Sequence, residues 1–400
     1  MSAFAAIGIA FSFVSTIWIP ATLLCCIPWV QKQMLYLHWV TFFPGKWLME
    51  PERAGFLKNQ VAPFRIATSD SEQLFTWLIA PLGVYAKHLE DFIAEPSSVD
   101  KIEDKLAFRL LQSDPEARLL VYFHGNSATI AQQRRTEEYR SYSSGASGKM
   151  FVLAFDYRGF GSSSGTPSER GLLSDAQAVI DWALNTAKIS PDRIVLLGHS
   201  LGTAVVAGIA HQYAKIGIEF KGLVLCAAFT NAGGAFASYS IGGIVPVLAP
   251  IKLSSALQRW FSSKMKDTWQ SDDRLAELAR TCSGLQIVFM HAENDTTMPW
   301  VETESLFKST LQAAVEGASP YGGIPKDLKV VDLGEAGRQE VWQCGTRCIQ
   351  KTIAKHGGKR VCSQHPAPSI RLSFGTAFRN RIRCTTTTGC LPIPLDARDF

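Results

Sequence analysis

The chain has 400 residues, 46% of them hydrophobic and 19% charged, with nine cysteines and a formal net charge of +5. This composition excludes a disordered chain and a disulfide scaffold. A mean hydropathy of +0.06 excludes a polytopic membrane protein but leaves room for one or two spans. The charge excess is local: residues 356–400 hold seven Lys/Arg and two Asp, so the body before them is balanced and offers nucleic acid no basic face.

Between Met1 and Gln31 there is no charged side chain. Ala3 to Ile19 is apolar almost throughout, and the run resumes after Pro20 as far as Trp29. A bilayer span needs about 20 apolar residues. A cleaved signal peptide would show a basic start and a shorter apolar core. Residues 1–31 are therefore expected to form an N-terminal transmembrane helix, with Trp18 and Trp29 at interfaces and residues 32–60 as a linker. Lys32 and Lys46 follow the span and favour a cytosolic C-terminal side.

From residue 61 apolar runs alternate with helical patterns. Phe64–Thr68 and Gln73–Ile79 read as an antiparallel pair around a Ser-Asp-Ser turn. Strands are expected over Leu119–Phe123, Met150–Phe155, Arg193–Leu197, Gly222–Cys226, Leu285–Met290 and Leu328–Leu333. Helices are expected over Gly171–Ala187, Thr203–Ala214, Trp300–Val315 and Ile349–Ala354. Apolar strands spaced by helices describe an α/β fold, a mostly parallel sheet covered on both faces, with its first strands antiparallel. Residues 230–275, rich in Gly, Ala, Ser and aromatics, interrupt the alternation and read as a cap over a pocket.

The most informative motif is Gly198-His199-Ser200-Leu201-Gly202, between the strand Ile194–Leu197 and an Ala-rich helix. A sharp strand-to-helix turn needs Gly198 and Gly202 at its flanks, lifts the Ser200 hydroxyl above the sheet edge, and turns the Leu201 N–H toward a developing oxyanion. Upstream, Leu120–Asn126 ends a strand in His124-Gly125-Asn126, where a second oxyanion donor, the N–H around Asn126, is expected. The segment Asp156-Tyr157-Arg158-Gly159-Phe160-Gly161 reads as a rigid rim loop with Asp156 as a structural carboxylate. A catalytic acid should follow a strand beyond the cap, and Asp295 fits, with Glu293 as the fallback. Of the eight histidines only His356 and His365 come after Asp295, and either is a possible base. Cys344, Cys348, His356, Cys362 and His365 do not have a common zinc spacing, so no metal is assigned. No cofactor is needed for this chemistry.

Together, His124-Gly125-Asn126, the Asp156 segment, the Ser200 pentapeptide and Asp295-Thr296-Thr297-Met298-Pro299 resemble the α/β-hydrolase superfamily. Within it they are most similar to membrane-anchored serine hydrolases related to lysophosphatidylserine lipase and monoacylglycerol lipase, especially fungal ones. The resemblance covers roughly residues 60 to 358 and includes the anchor in kind. It implies an α/β-hydrolase fold, Ser200 as nucleophile, Asp295 as acid, and an oxyanion hole at Asn126 and Leu201. In those relatives the loop His-Gly-Gly continues with a histidine that serves as the base. Here Lys359-Arg360 stands at that point, so His356 is taken as the base. From residue 359 Arg, Cys and Thr dominate and no closing helix is visible; residues 359–400 read as a disordered tail, a shifted reading frame or an unspliced intron. The expected activity is hydrolysis of a lipid-like (thio)ester, monoacylglycerol or lysophospholipid, at an endomembrane such as the endoplasmic reticulum. The alternatives are an aminopeptidase-like serine hydrolase or an impaired hydrolase acting as a membrane-bound scaffold. The oligomeric state is left open.

Overall fold

The computed structural model describes residues 16, 18–41, 46–96, 101–144, 148–238, 240–241, 245–246, 248, 251, 254–316, 325 and 327–356. Residues 1–15 and 17 of the expected span lie outside these, as does the tail with Cys362 and His365. Among the described residues no helix is long and apolar enough to cross a membrane. The apolar run yields two short helices, α1 (Ile19–Cys25) and α2 (Pro28–Tyr36). Pro28 occupies the first turn of α2, where its missing N–H has no partner to lose.

The antiparallel pair is formed by β1 (Val61–Ala67) and β2 (Gln73–Ile79), with Val61 opposite Ile79 and Ala67 opposite Gln73. Then come β3 (Arg118–Phe123), α3 (Gln133–Ser143), β4 (Met150–Phe155), α4 (Glu169–Asp181), β5 (Ile194–His199), α5 (Leu201–Ala214) and β6 (Gly222–Cys226). The chain continues through α6 (Ala232–Ser238), α7 (Ser255–Ser262), α8 (Ser271–Thr281), β7 (Gln286–Ala292) and α9 (Trp300–Glu316). It closes with β8 (Lys329–Asp332), β9 (Arg338–Cys344) and β10 (Arg347–Ala354). These strands make one ten-stranded sheet in the order β1-β2-β4-β3-β5-β6-β7-β10-β9-β8.

From β4 to β10 across the centre every pairing is parallel, which puts the C-terminal ends of β3, β5, β6, β7 and β10 at one edge. Burial on both faces explains the unbroken apolar runs. Leu119, Val121 and Phe123 belong to one core with Leu172 and Val205, while Leu120 and Tyr122 belong to the opposite core with Trp77 and Tyr139. Helix α5 is buried nearly all round, which fits its Ala, Val and Gly content.

The C-terminal part differs from expectation. Ile349–Ala354 is a strand, not a helix. The spacing of Ile349 and Ile353 imitates a helical face, but β10 lies between β7 and β9, so Gln350, Lys351 and Thr352 are buried as well. Lys351 is matched there by Glu304 and by Glu340, the latter at 3.0 Å, and lies 4.6 Å from the centre of the Phe307 ring. A buried lysine with two carboxylates and an aromatic face satisfies its charge without water. Strand β9, which no apolar run announces, joins β10 through Gly345-Thr346, where Gly345 adopts φ +58°.

Candidate active site

Strand β5 passes into α5 through Ser200, whose φ of +50° and ψ of −116° no L-residue adopts without strain. Such a conformation costs about 1–3 kcal/mol and persists only where the surroundings impose it. Here they do. A β-carbon on Gly198 would lie 2.4 Å from the carbonyl oxygen of Gly202, and one on Gly202 would lie 1.9 Å from that of Phe123. The Ser200 N–H donates to Cys226 O at 2.8 Å, which fastens the turn to the end of β6.

The loop after β3 packs directly against this turn: a β-carbon on Gly125 would lie 3.0 Å from His199 Nδ1. Two successive residues of that loop, Ser127 (φ +61°) and Ala128 (φ +54°), are left-handed. Arg135, buried on α3, holds the loop from within. Its guanidinium donates to the carbonyls of Gly125 (3.1 Å), Asn126 (3.3 Å), Ser127 (2.8 Å) and Thr129 (2.8 Å). Asp156 accepts from the Ile130 N–H at 2.8 Å, in keeping with a structural carboxylate. Burial raises its pKa to about 7.

Asp295 closes a turn after β7, where its Oδ1 accepts from the N–H groups of Thr297 (2.8 Å) and Met298 (3.2 Å). Behind it, buried His291 lies against Met298 O (2.9 Å) and Thr303 Oγ1 (2.7 Å). Burial holds the His291 pKa below its ordinary value. The Thr303 hydroxyl in turn donates to Ala228 O at 2.8 Å, which ties this cluster to the end of β6.

One cavity of about 330 Å³ brings these residues together. Its wall includes Asn126, His199, Ser200, Leu201 and Asp295. One part is apolar, with Phe229, Ala235, Phe236, Leu248 and Met298; another is polar, with Tyr122, Arg134, Arg135 and Glu138. Ala235, Phe236 and Leu248 come from the region expected to cap the pocket. His356 does not line the cavity. It is exposed and stands two residues beyond Ala354, whose carbonyl accepts from the Glu293 N–H at 2.7 Å. The end of β10 thus reaches the loop carrying Asp295.

Several wall residues had no signal in the sequence. Arg135 is one of several arginines on a polar helix, and only the fold shows which of them turns inward. Glu138 is fully buried with its pKa raised to about 7 by that burial, and it accepts from Tyr122 OH at 2.6 Å. Met34, Leu35 and Leu37 also line the cavity, from a segment that reads as a linker.

The family model for the alpha/beta hydrolase family matches residues 119–331, just over half of the chain. Lysophosphatidylserine lipase ABHD12 of Danio rerio is 26% identical over 299 residues, covering 74% of this chain and 70% of its own. The protein of the same name from Rattus norvegicus is 27% identical over 279 residues, covering 68% of this chain and 62% of its own. Among solved structures, an esterase of Pyrococcus furiosus superposes with a TM-score of 0.49 at 13% identity, over 85% of this chain and 95% of that one. With its matched core, its parallel sheet and the strained turn at Ser200, the chain belongs to the α/β hydrolase family.

Proposed function

We propose that the protein is a serine hydrolase of lipid-like acyl esters, with monoacylglycerol or lysophospholipid as the substrate class. The observation that carries this reading is the single cavity in which a strained Ser200 at the start of α5 meets Asn126, Leu201, Asp295 and an apolar wall. The names of the ABHD12 relatives support a lipid substrate. The charge-free residues 1–31 support a membrane anchor, which would place the enzyme at an endomembrane. The exposed Leu23, Leu24, Ile27 and Trp29 at the end of that stretch support the same reading. Residues 61–358 then form the hydrolase unit and 230–275 its cap.

The mechanism follows from the roles of the groups. Ser200 Oγ attacks the ester carbonyl carbon and passes its proton to a histidine. The oxyanion so formed accepts hydrogen bonds from the N–H groups of Asn126 and Leu201. The carbon–oxygen bond to the alcohol breaks, and the alcohol leaves with that proton. Water, deprotonated by the same histidine, then releases the acid and restores Ser200. Asp295 orients the histidine and stabilises its charged form. His356 is assigned as this base; the bond from the Glu293 N–H to Ala354 O, two residues before it, supports the assignment.

The position of His356 outside the cavity wall favours a second reading, a membrane-bound pseudo-hydrolase. A fluorophosphonate probe separates the two. The hydrolase reading expects labelling of the wild type and none of Ser200→Ala; absence of labelling in both overturns it. Asp295→Asn keeps an oxygen for the Thr297 and Met298 N–H groups, so it should fold while kcat falls about ten-thousand-fold, as when a triad aspartate is neutralised. An Asp295→Asn enzyme with wild-type kcat would remove Asp295 from the mechanism. A His356→Ala enzyme that retains wild-type turnover would move the base to His365.

A further inference from the structure

The residues just after the apolar N-terminus do more than connect. Helix α2 and the turn after it are bonded on one side to the loop that carries Asn126 and on the other to residues 264–267. On one side, the Ser127 N–H donates to Tyr36 O at 2.9 Å and the Ala128 N–H donates to Val40 O at 2.7 Å. These are the two left-handed residues of the loop that carries Asn126. On the other side, the Tyr36 hydroxyl donates to Asp267 Oδ2 at 2.7 Å. Gln31, itself buried, donates through Nε2 to Lys264 O at 2.9 Å and accepts from the Lys266 N–H at 3.1 Å. Residues 264–267 follow α7, within the segment 230–275 expected to cap the pocket. Tyr36 is fully buried, and Leu37 turns the chain with φ +46°. Met34, Leu35 and Leu37 meanwhile form part of the cavity wall.

Left-handed L-residues in sequence persist only when neighbouring structure over-determines them. Arg135 holds the carbonyls of this loop. The N–H groups of Ser127 and Ala128 are held from outside the loop, by Tyr36 and Val40. Removing that support frees the loop to relax toward ordinary backbone geometry and turns the Asn126 N–H away from the position of the developing charge. Preorganised donors lose most of their effect when they must be reoriented during reaction.

We propose that residues 28–40 are a positioning strap of the active site, in which Tyr36 couples the oxyanion loop to the cap segment at Asp267. The inference rests on the serine-hydrolase reading and adds to it an element outside the hydrolase unit. Tyr36 acts through the loop and does not touch the reacting atoms.

The test uses the full-length chain in detergent, with the second-order rate of fluorophosphonate labelling at Ser200 and the kcat and KM for a short p-nitrophenyl ester. Tyr36→Phe should lower both the labelling rate and kcat by about tenfold, the scale of a hydrogen bond to a charged group, with a smaller change in KM. Gln31→Ala, which cuts the other tie to the same segment, should lower both in the same way. Asp267→Asn, which keeps an oxygen acceptor for the phenol, should recover most of the rate. Tyr213→Phe is the control: it removes a phenol–carboxylate bond to Asp181 remote from the cavity and should leave the labelling rate per folded molecule unchanged. If Tyr36→Phe and Gln31→Ala lower only the melting temperature, as the control does, the strap is merely structural and the proposal fails. If the wild type itself does not label, the hydrolase reading fails, and this inference with it.

Discussion

Gly202 on α5 meets the carbonyl of Phe123 at the end of β3 so closely that a β-carbon would lie 1.9 Å from the oxygen. The contact joins the helix behind the candidate nucleophile to the strand that carries the loop with Asn126. The obstacle is backbone, so it does not yield by a rotamer change. Gly202→Ala should therefore reach the upper end of the ~1–3 kcal/mol typical of overpacking, and should abolish fluorophosphonate labelling before unfolding is complete. Chemical denaturation and probe labelling on the same samples check this. Wild-type labelling by a stable Gly202→Ala protein would show that the elbow tolerates the shift.

Arg135 is the internal clamp of the same loop. Lysine at this position keeps the charge but lacks the planar fork that reaches four carbonyls at once. Arg135→Lys should lower kcat by about a hundredfold or more, the scale of a lost oxyanion donor, with KM changed less. Steady-state kinetics on a soluble ester decide it. An effect confined to KM would make Arg135 a substrate contact instead.

Glu138 sets an expected pH dependence of stability. Burial raises its pKa from 4.5 to about 7 in the folded protein. Between those pH values the folded chain holds a proton that the unfolded chain has released. Stability from this group therefore falls as pH rises through that window, by up to about 1.4 kcal/mol per pH unit, and is flat above it. Glu138→Gln retains an oxygen to accept from Tyr122 and cannot titrate. The difference in unfolding free energy between wild type and variant, measured by urea titration at several pH values, isolates Glu138 from other buried groups such as Asp156. A difference that does not change between pH 4.5 and 7 would exclude this proton.

The legibility of the chain varies with the physical origin of each feature. Leu119–Phe123 and Met150–Phe155 are readable because strands covered on both faces must be apolar throughout. The glycines around Ser200 are readable because a turn pressed against backbone has no space for a β-carbon. Strand β10 is not, since its polar middle is buried by tertiary pairing: Lys351 enters the core only because Glu304 and Glu340 are brought to it. Arg135 gives no sign either, because its partners are main-chain carbonyls that any sequence supplies.

By itself, then, the sequence determined the parallel α/β core, the turn at Ser200, the loop at Asn126 and the acidic loop at Asp295. Each depends on local backbone geometry or on burial periodicity, and both leave a residue pattern. Tertiary structure alone decided that residues 28–40 lie against the active site, that Arg135 and Glu138 face the cavity, and that the chain carrying His356 emerges beside the Asp295 loop. These are contacts between segments far apart in the chain, made through backbone groups and buried polar pairs whose partners no local pattern specifies.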